Sequence, residues 1–433
     1  MDRVWISVLF IFFVLCTKSS FAEDKKPHGL LYPELVSKFY AAHQQLFWMG
    51  RSVGAVEMRR LLLQRIDSAV YIGTERTRYG FDRLQGADSQ HGSDSNSLMK
   101  LDMLFTDAAI AYCKDLYQGY GISIWMKYDE WSVKYADRDN DFIIGHLAAI
   151  RSAGELAGFL QALEPTSGEY SAYKTELAVQ YQNNQTAKAK RVATAMNFYR
   201  WIHHFSFERY IVVNIPSVSL KYFNYDSVVL FSRMIVGKPS TRTPRFNATC
   251  KDVILYPYWN VPTDIALKEL VPKYKRSPGL VDKENMQILD AKGNVISPYS
   301  IDWSKYSSRY FPYRLRQSTG CDNSLGIIKF DLTSPFGVYL HDTNTRGLFE
   351  SLKRFRSHGC MRVEKAIQLG NLLLNNKLDT AFLQACIKGE KPITLQLEKP
   401  VPVFVVYLTA EANDSGVVSY YDDVYRLLPI SEN

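Results

Sequence analysis

The hydrophobic pattern of this chain changes period at Arg209. Before that point apolar residues return at steps of three and four, as in Leu98, Leu101, Phe105, Ala108, Ala109 and Tyr112, with Ser95 or Ser97 as candidate caps. The same spacing predicts helices over residues 153–163, ended by Glu164-Pro165, from Glu169 or Tyr170 to Tyr181, and over 191–204. Residues 86–96 read as a surface loop and 182–190 as a polar linker or exposed helix end. After it, Tyr210-Ile211-Val212-Val213-Asn214-Ile215 is rich in β-branched residues and stopped by Pro216. Residues 226–236 predict a second and third strand, and strand character returns at 327–330, 338–340 and 401–409. Helices segregated from strands, rather than alternating with them, define an α+β chain.

At 433 residues the chain is too long for one ordinary core, so two or three packed units are expected. Residues 243–311, rich in Pro, Trp and Tyr and poor in periodicity, read as a small subdomain inserted into the β unit. The N-terminus constrains the compartment. Arg3 precedes an apolar run from Val4 to Cys16 broken only by Ser7, and Ser20-Phe21-Ala22 offers small residues for cleavage. The run falls short of the roughly 20 residues a spanning helix needs, so residues 1–22 read as a secretory signal. The net charge of +8 is spread along the chain and suits a solvated surface or attraction to an anionic polymer, while export argues against nucleic acid.

Six cysteines include Cys16, which leaves the odd set Cys113, Cys250, Cys321, Cys360 and Cys386 after cleavage. An odd count in an oxidising compartment implies at least one free thiol. No CxxC pair is present, and Cys250 with Cys321 is a candidate disulfide that sequence alone cannot establish. His341 follows a predicted strand, and Ser357-His358-Gly359-Cys360-Met361-Arg362-Val363 lies shortly beyond it. Val363, Ala366, Ile367, Gly370, Leu373 and Leu374 fit one helical face, which predicts Cys360 at a helix entrance where backbone N–H groups would favour a thiolate. A thiol nucleophile needs a base, and His341 is the candidate. Competing readings are a buried structural cysteine and histidine, or zinc held by His341, Asp342, His358 and Cys360.

The spacing is specific in another way. His341, fifteen intervening residues and Ser357-His358-Gly359-Cys360 resemble the signature of the L,D-transpeptidase (YkuD-type) family, in which a histidine is separated by 14 to 17 residues from Ser or Thr followed by His-Gly-Cys. Residues 209–216, 257–262, 311–317 and 339–343 are similar to its long subgroup, with a helical scaffold ahead of a β-rich catalytic domain and an inserted capping subdomain. The resemblance implies a scaffold over 23–204 and a catalytic domain over 205–433, with the cap at about 245–312. It implies that Cys360 forms a thioester with a peptidoglycan tetrapeptide donor, expelling terminal D-alanine, and that His341 is the base. His358, Gly359 and the Cys360 N–H match positions near the oxyanion, and Ser357, Arg362 and Tyr339 match supporting or substrate-binding ones. An amine of a neighbouring stem would then take the acyl group, joining two third-position diamino acids without cofactor or metal. Carbapenem β-lactams would acylate the same sulfur, and the periplasm of a Gram-negative type envelope is the expected location. Arg314 and Arg316, on one face of a predicted strand, are candidates for stem carboxylates. Alternatives are hydrolysis by the same pair, as a murein L,D-carboxypeptidase, or a non-catalytic wall-binding protein. The polar stretch after Tyr181 leaves no room for the peptidoglycan-binding module common in the subgroup, and Ser318 stands where the family tends to have proline.

Overall fold

The structure, a computed structural model, describes residues 29–43, 45–88, 94–413 and 415–428. The expected signal at 1–22, with Cys16, lies outside the described residues. No helix among those described is long and apolar enough to cross a membrane.

The N-terminal half is helical. Its axis is the helix Ser95–Gln118, capped by the carboxylate of Asp94, which accepts from the N–H groups of Asn96 and Ser97. The cap therefore falls one residue before Ser95 and three before Ser97. Asp102, fully buried on this helix, accepts from Tyr40 and from the backbone N–H groups of Phe47, Trp48 and Met49, so its buried charge is satisfied by several donors. Gly168–Gln182, with Ser167 as its cap, and Thr186–His203 are joined by residues 183–185 alone. The predicted linker is thus mostly the first turns of the second helix.

The strands, in chain order, are β1 (Arg209–Asn214), β2 (Ser219–Asn224), β3 (Ser227–Gly237), β4 (Phe246–Leu255), β5 (Trp259–Asn260), β6 (Met286–Leu289), β7 (Val295–Ile296), β8 (Arg314–Gln317), β9 (Ile328–Leu332), β10 (Leu340–His341), β11 (Phe355–Ser357), β12 (Met361–Val363), β13 (Ile393–Val406), β14 (Ala410–Ala412) and β15 (Val418–Tyr420). Residues 226–236 form one strand rather than two, and its hairpin partner β2 escaped prediction. The main sheet runs β11-β3-β12-β10-β9-β4-β13-β1-β2. It closes on itself because long β3 pairs with β2 through Ser227–Arg233 and with β12 through Met234 and Ile235. Strand β1 shows why its run is continuously apolar. Ile211 and Val213 face the interior of the closed sheet, while Tyr210 and Val212 face the scaffold helices. There Trp201 meets Phe404 edge-on at 5.3 Å. Lys221 of β2, buried at the same junction, is paired with Glu169 at 2.7 Å and Glu411 at 3.4 Å.

The cap is a four-stranded sheet, β5-β8-β6-β7, with its own core of Val271, Tyr274, Ile288, Trp303 and Leu315. It begins later than the predicted residue 245, because Phe246–Leu255 is a main-sheet strand between β9 and β13. Where the chain returns from the cap, Cys321 is bonded to Cys386. The candidate pair Cys250–Cys321 is therefore incorrect: Cys250 is fully buried inside β4 and leaves its thiol free. Beside the bridge, Asn285 of the cap donates to the Thr319 carbonyl, and Lys388 pairs with Asp322 at 2.9 Å. The disulfide closes a separation of 65 residues, so replacing both Cys321 and Cys386 by serine should cost about 2–4 kcal/mol. A lower urea midpoint for the double variant than for the oxidised parent checks this, and equal midpoints would deny the bridge a structural role.

Candidate active site

Strand β10 lies between β9 and β12 and pairs with β12 in parallel, Leu340 beside Met361 and His341 beside Arg362. One residue earlier, the Met361 N–H donates to the Tyr339 carbonyl at 3.1 Å, which brings Cys360 alongside Tyr339. Leu340 and Met361 are fully buried in the core of the sheet. Because successive side chains alternate, Tyr339, His341, Cys360 and Arg362 all project from the opposite face. Contacts agree with this alternation. The rings of Tyr339 and His341 meet edge-on with centroids 5.6 Å apart, and the Tyr339 hydroxyl favours the thiolate of Cys360. Lys329 of β9, opposite His341, holds its ammonium 4.3 Å from the Tyr339 ring centroid.

The electrostatics favour a neutral resting pair. Burial, with the charge of Arg362 and then of Lys329, depresses His341 to about 3, against the partial support of the Asp342 and Leu325 carbonyls. Its Nδ1 faces the Asp342 carbonyl, which can only accept, so Nδ1 carries the hydrogen and Nε2 is the basic nitrogen. Burial also raises the Cys360 thiol, opposed by the Tyr339 N–H and hydroxyl and by Lys329 and Arg362. Arg362 donates to Thr345 at 3.1 Å, while its Nε is buried without a partner, and burial lowers its own affinity for protons. Cys250 is pushed up to about 12 and Cys113 higher still, both by burial, which makes Cys360 the accessible free thiol among the described residues.

The turn before Cys360 is fixed by its own side chains. Ser357 donates from Oγ to the Cys360 carbonyl and accepts from the Gly359 N–H at 3.1 Å. Thr243 donates to the Gly359 carbonyl at 2.8 Å, and Gly359 has φ +118°, a conformation side-chain-bearing residues rarely adopt. His358 meets Glu269 of the cap at 2.7 Å. The expected helix entrance is incorrect: Cys360 leads into β12, and the helix Ala366–Leu373 begins six residues later. Whatever favours the thiolate comes from Tyr339, Lys329 and Arg362 instead of a helix end.

Arg314 and Arg316 lie on the cap strand β8, and no contact among the described residues joins them to this face. Arg316 stacks 4.1 Å from the Tyr258 ring and donates to Gln287 at 2.9 Å. No three His, Cys, Asp or Glu side chains among the described residues gather as a metal site. A cavity of about 390 Å³ in the scaffold, lined by Tyr32, Arg78, Lys114 and Tyr120 among others, shares no residue with the Cys360 face. Sequence reasoning missed Lys329, Thr243 and Glu269. Only the register of β9 against β10 could have pointed to Lys329, and nothing local marks the other two.

Comparison with known proteins agrees with this architecture. Residues 208–393 match the model of the L,D-transpeptidase catalytic domain (YkuD), and residues 34–177 match that of the scaffold domain. A protein of Haemophilus influenzae (strain ATCC 51907 / DSM 11121 / KW20 / Rd), provisionally named an L,D-transpeptidase, is 31% identical over 402 residues, covering 91% of this chain and 78% of the relative. The chain therefore belongs to the L,D-transpeptidase family. Among solved structures, an L,D-transpeptidase from Mycobacterium smegmatis is 14% identical with a TM-score of 0.22, covering 46% of this chain and 58% of that one. LdtMt1 in complex with imipenem is 12% identical with a TM-score of 0.21, covering 46% and 59%. The chain spans less than two thirds of either, and overlays this loose carry no weight below.

Two outcomes follow from the electrostatics. Replacing Tyr339 by phenylalanine removes a donor to the sulfur, so the apparent thiol pKa read from the pH dependence of iodoacetamide alkylation should rise; an unmoved profile would mean that the hydroxyl does not serve the thiolate. A group with a depressed pKa stays neutral above it, so the ring resonances of His341 should not titrate between pH 8 and pH 5, with a midpoint near 3. A midpoint near 6.5 in the NMR titration would contradict the burial argument.

Proposed function

We propose that this chain is an exported peptidoglycan L,D-transpeptidase that works through a Cys360 thioester in a Gram-negative type periplasm. The observation that carries the reading is the shared face of Cys360 and His341 on adjacent parallel strands, within the family's motif. In the first half-reaction His341 Nε2 takes the thiol proton as the sulfur adds to the carbonyl carbon of the donor peptide bond. Among the described residues nothing accepts from the Cys360 N–H, which is free to meet the developing oxyanion. Collapse breaks the C–N bond, and the proton on His341 passes to the departing D-alanine amine. The thioester remains. In the second half an amine of a neighbouring stem adds to the same carbon, the C–S bond breaks, and the sulfur is released.

The supporting roles follow the contacts. Arg362, a cation with no carboxylate partner among the described residues and an unbonded Nε, suits a stem carboxylate at the reacting centre. Ser357 and Gly359 fix the turn, and Tyr339 steadies the thiolate. Arg314, exposed on the cap, stays a candidate for stem carboxylates, whereas Arg316 is engaged by Tyr258 and Gln287. Carbapenems, whose strained ring presents a carbonyl to the same nucleophile, would acylate Cys360.

Purified protein given tetrapeptide-bearing muropeptides should produce cross-linked dimers. Cys360→Ala should abolish them, and His341→Ala should slow donor acylation by about 10²–10⁴-fold. Shortened monomers without dimers would assign hydrolysis instead, and no turnover by the parent protein would make it a wall-binding protein.

A further inference from the structure

Glu269 lies on a π-helical turn, Ala266–Leu270, whose ends are fixed in the cap core by buried Ala266 and Val271. The Val271 N–H bonds back to the Ala266 carbonyl, five residues away, so the turn is wider than an α-helical one and its outer flank is displaced. Glu269 occupies that flank and reaches His358 Nε2 at 2.7 Å. This is the one hydrogen bond among the described residues between the cap and the segment carrying the nucleophile. Both side chains remain accessible to solvent, 49% for Glu269 and 35% for His358. His358 is two residues from Cys360, at most about 7 Å of backbone.

The second half-reaction poses a problem that the face around Cys360 does not solve. The acceptor amine is an ammonium ion in neutral water and must be attracted, then deprotonated, before it can attack. Arg362 repels it, and the β9 carboxylate near Tyr339, Asp331, is already engaged by Lys329 at 2.5 Å. We propose that Glu269, reaching down from the cap, is the acceptor-binding carboxylate, and that it holds the incoming ammonium beside His358; this rests on the transpeptidase reading above. The ammonium gives one proton to solvent through the Glu269–His358 pair. Its nitrogen adds to the thioester carbonyl carbon and the C–S bond breaks. The second amine proton passes through His341 to the departing sulfur, leaving an amide and a thiol. Water needs no such carboxylate, so Glu269 biases the acyl-enzyme towards transfer.

The test is the fate of the acyl-enzyme in the full-length protein carrying E269Q, loaded with a tetrapeptide donor and offered a tetrapeptide acceptor. The ratio of dimer to hydrolysed tripeptide should fall at least tenfold from an acyl-enzyme that still forms, with a raised apparent KM for acceptor, and E269D should recover part of the loss. An unchanged ratio overturns the assignment of Glu269 alone. That holds whether both fluxes rise, as the release of a simple latch would produce, or both fall, as damage to the fold would. Failure of the parent protein to form any acyl-enzyme overturns the assignment together with the reading it rests on.

Discussion

The parallel register of β10 against β12 is the constraint on which the site depends. A strand has period two, so a slip of one residue in β12 would send Cys360 into the core beside Leu340 and bring Met361 out to the solvent face. The register is protected by what lies behind it. Leu340 and Met361 fill the same fully buried interior as Met234, Ile328 and Phe330, and moving either outward would leave a void and expose apolar surface. Two neighbours pin the far ends of the pair: β9 pairs with β10 at His341, and β3 pairs with β12 at Arg362. Closure of the sheet through β2 and β3 leaves β12 no free edge along which to shift. Packing energy spent on the core thereby positions the chemistry on the outer face.

What that face contains is a thiol and an imidazole, both kept uncharged by burial and flanked by two cations. Such a pair differs from a thiolate–imidazolium ion pair. It stores no charge separation in the resting protein, and in the proposed mechanism the cations would act once the sulfur gives up its proton, which is when stabilisation accelerates a reaction. In the proposed transfer, Arg362 would hinder a cationic acceptor while Asp331 is held by Lys329, so a free carboxylate would have to come from outside the sheet, and Glu269 of the cap, bonded to His358 of the motif, is the candidate. The disulfide at the base of the cap then acquires a purpose beyond stability, since it ties the chain returning from the cap to the loop before β13.

Much of this was legible in the residues. The period change at Arg209 separates helices from strands, and β1 and the main helices fall near their predicted places because their apolar spacing is strong. The motif from Ser357 to Cys360 names the candidate nucleophile, and the family follows from it. Other features were hidden for identifiable reasons. The helical spacing of Val363 to Leu374 is real, but Val363 belongs to a three-residue strand, a length too short for a period-two signal to register. Strand β2 contains Lys221, Asn224 and two aromatics, and its burial on both faces depends on a lysine neutralised by Glu169 and Glu411 from distant segments. The pairing of Cys321 with Cys386, and the meeting of His358 with Glu269, are tertiary facts with no local pattern. Lys329 reads as an ordinary polar residue in a strand until the register sets it against His341.

The central claim is geometric: two neighbouring strands hold the sulfur of Cys360 and the imidazole of His341 on one face, close enough for a proton to pass. A crystal structure of the protein with a bound tetrapeptide donor measures this most directly. The account predicts Cys360 Sγ within about 4 Å of His341 Nε2, with Leu340 and Met361 turned inward. A separation beyond about 6 Å, or Cys360 turned into the core with Met361 outside, would contradict it.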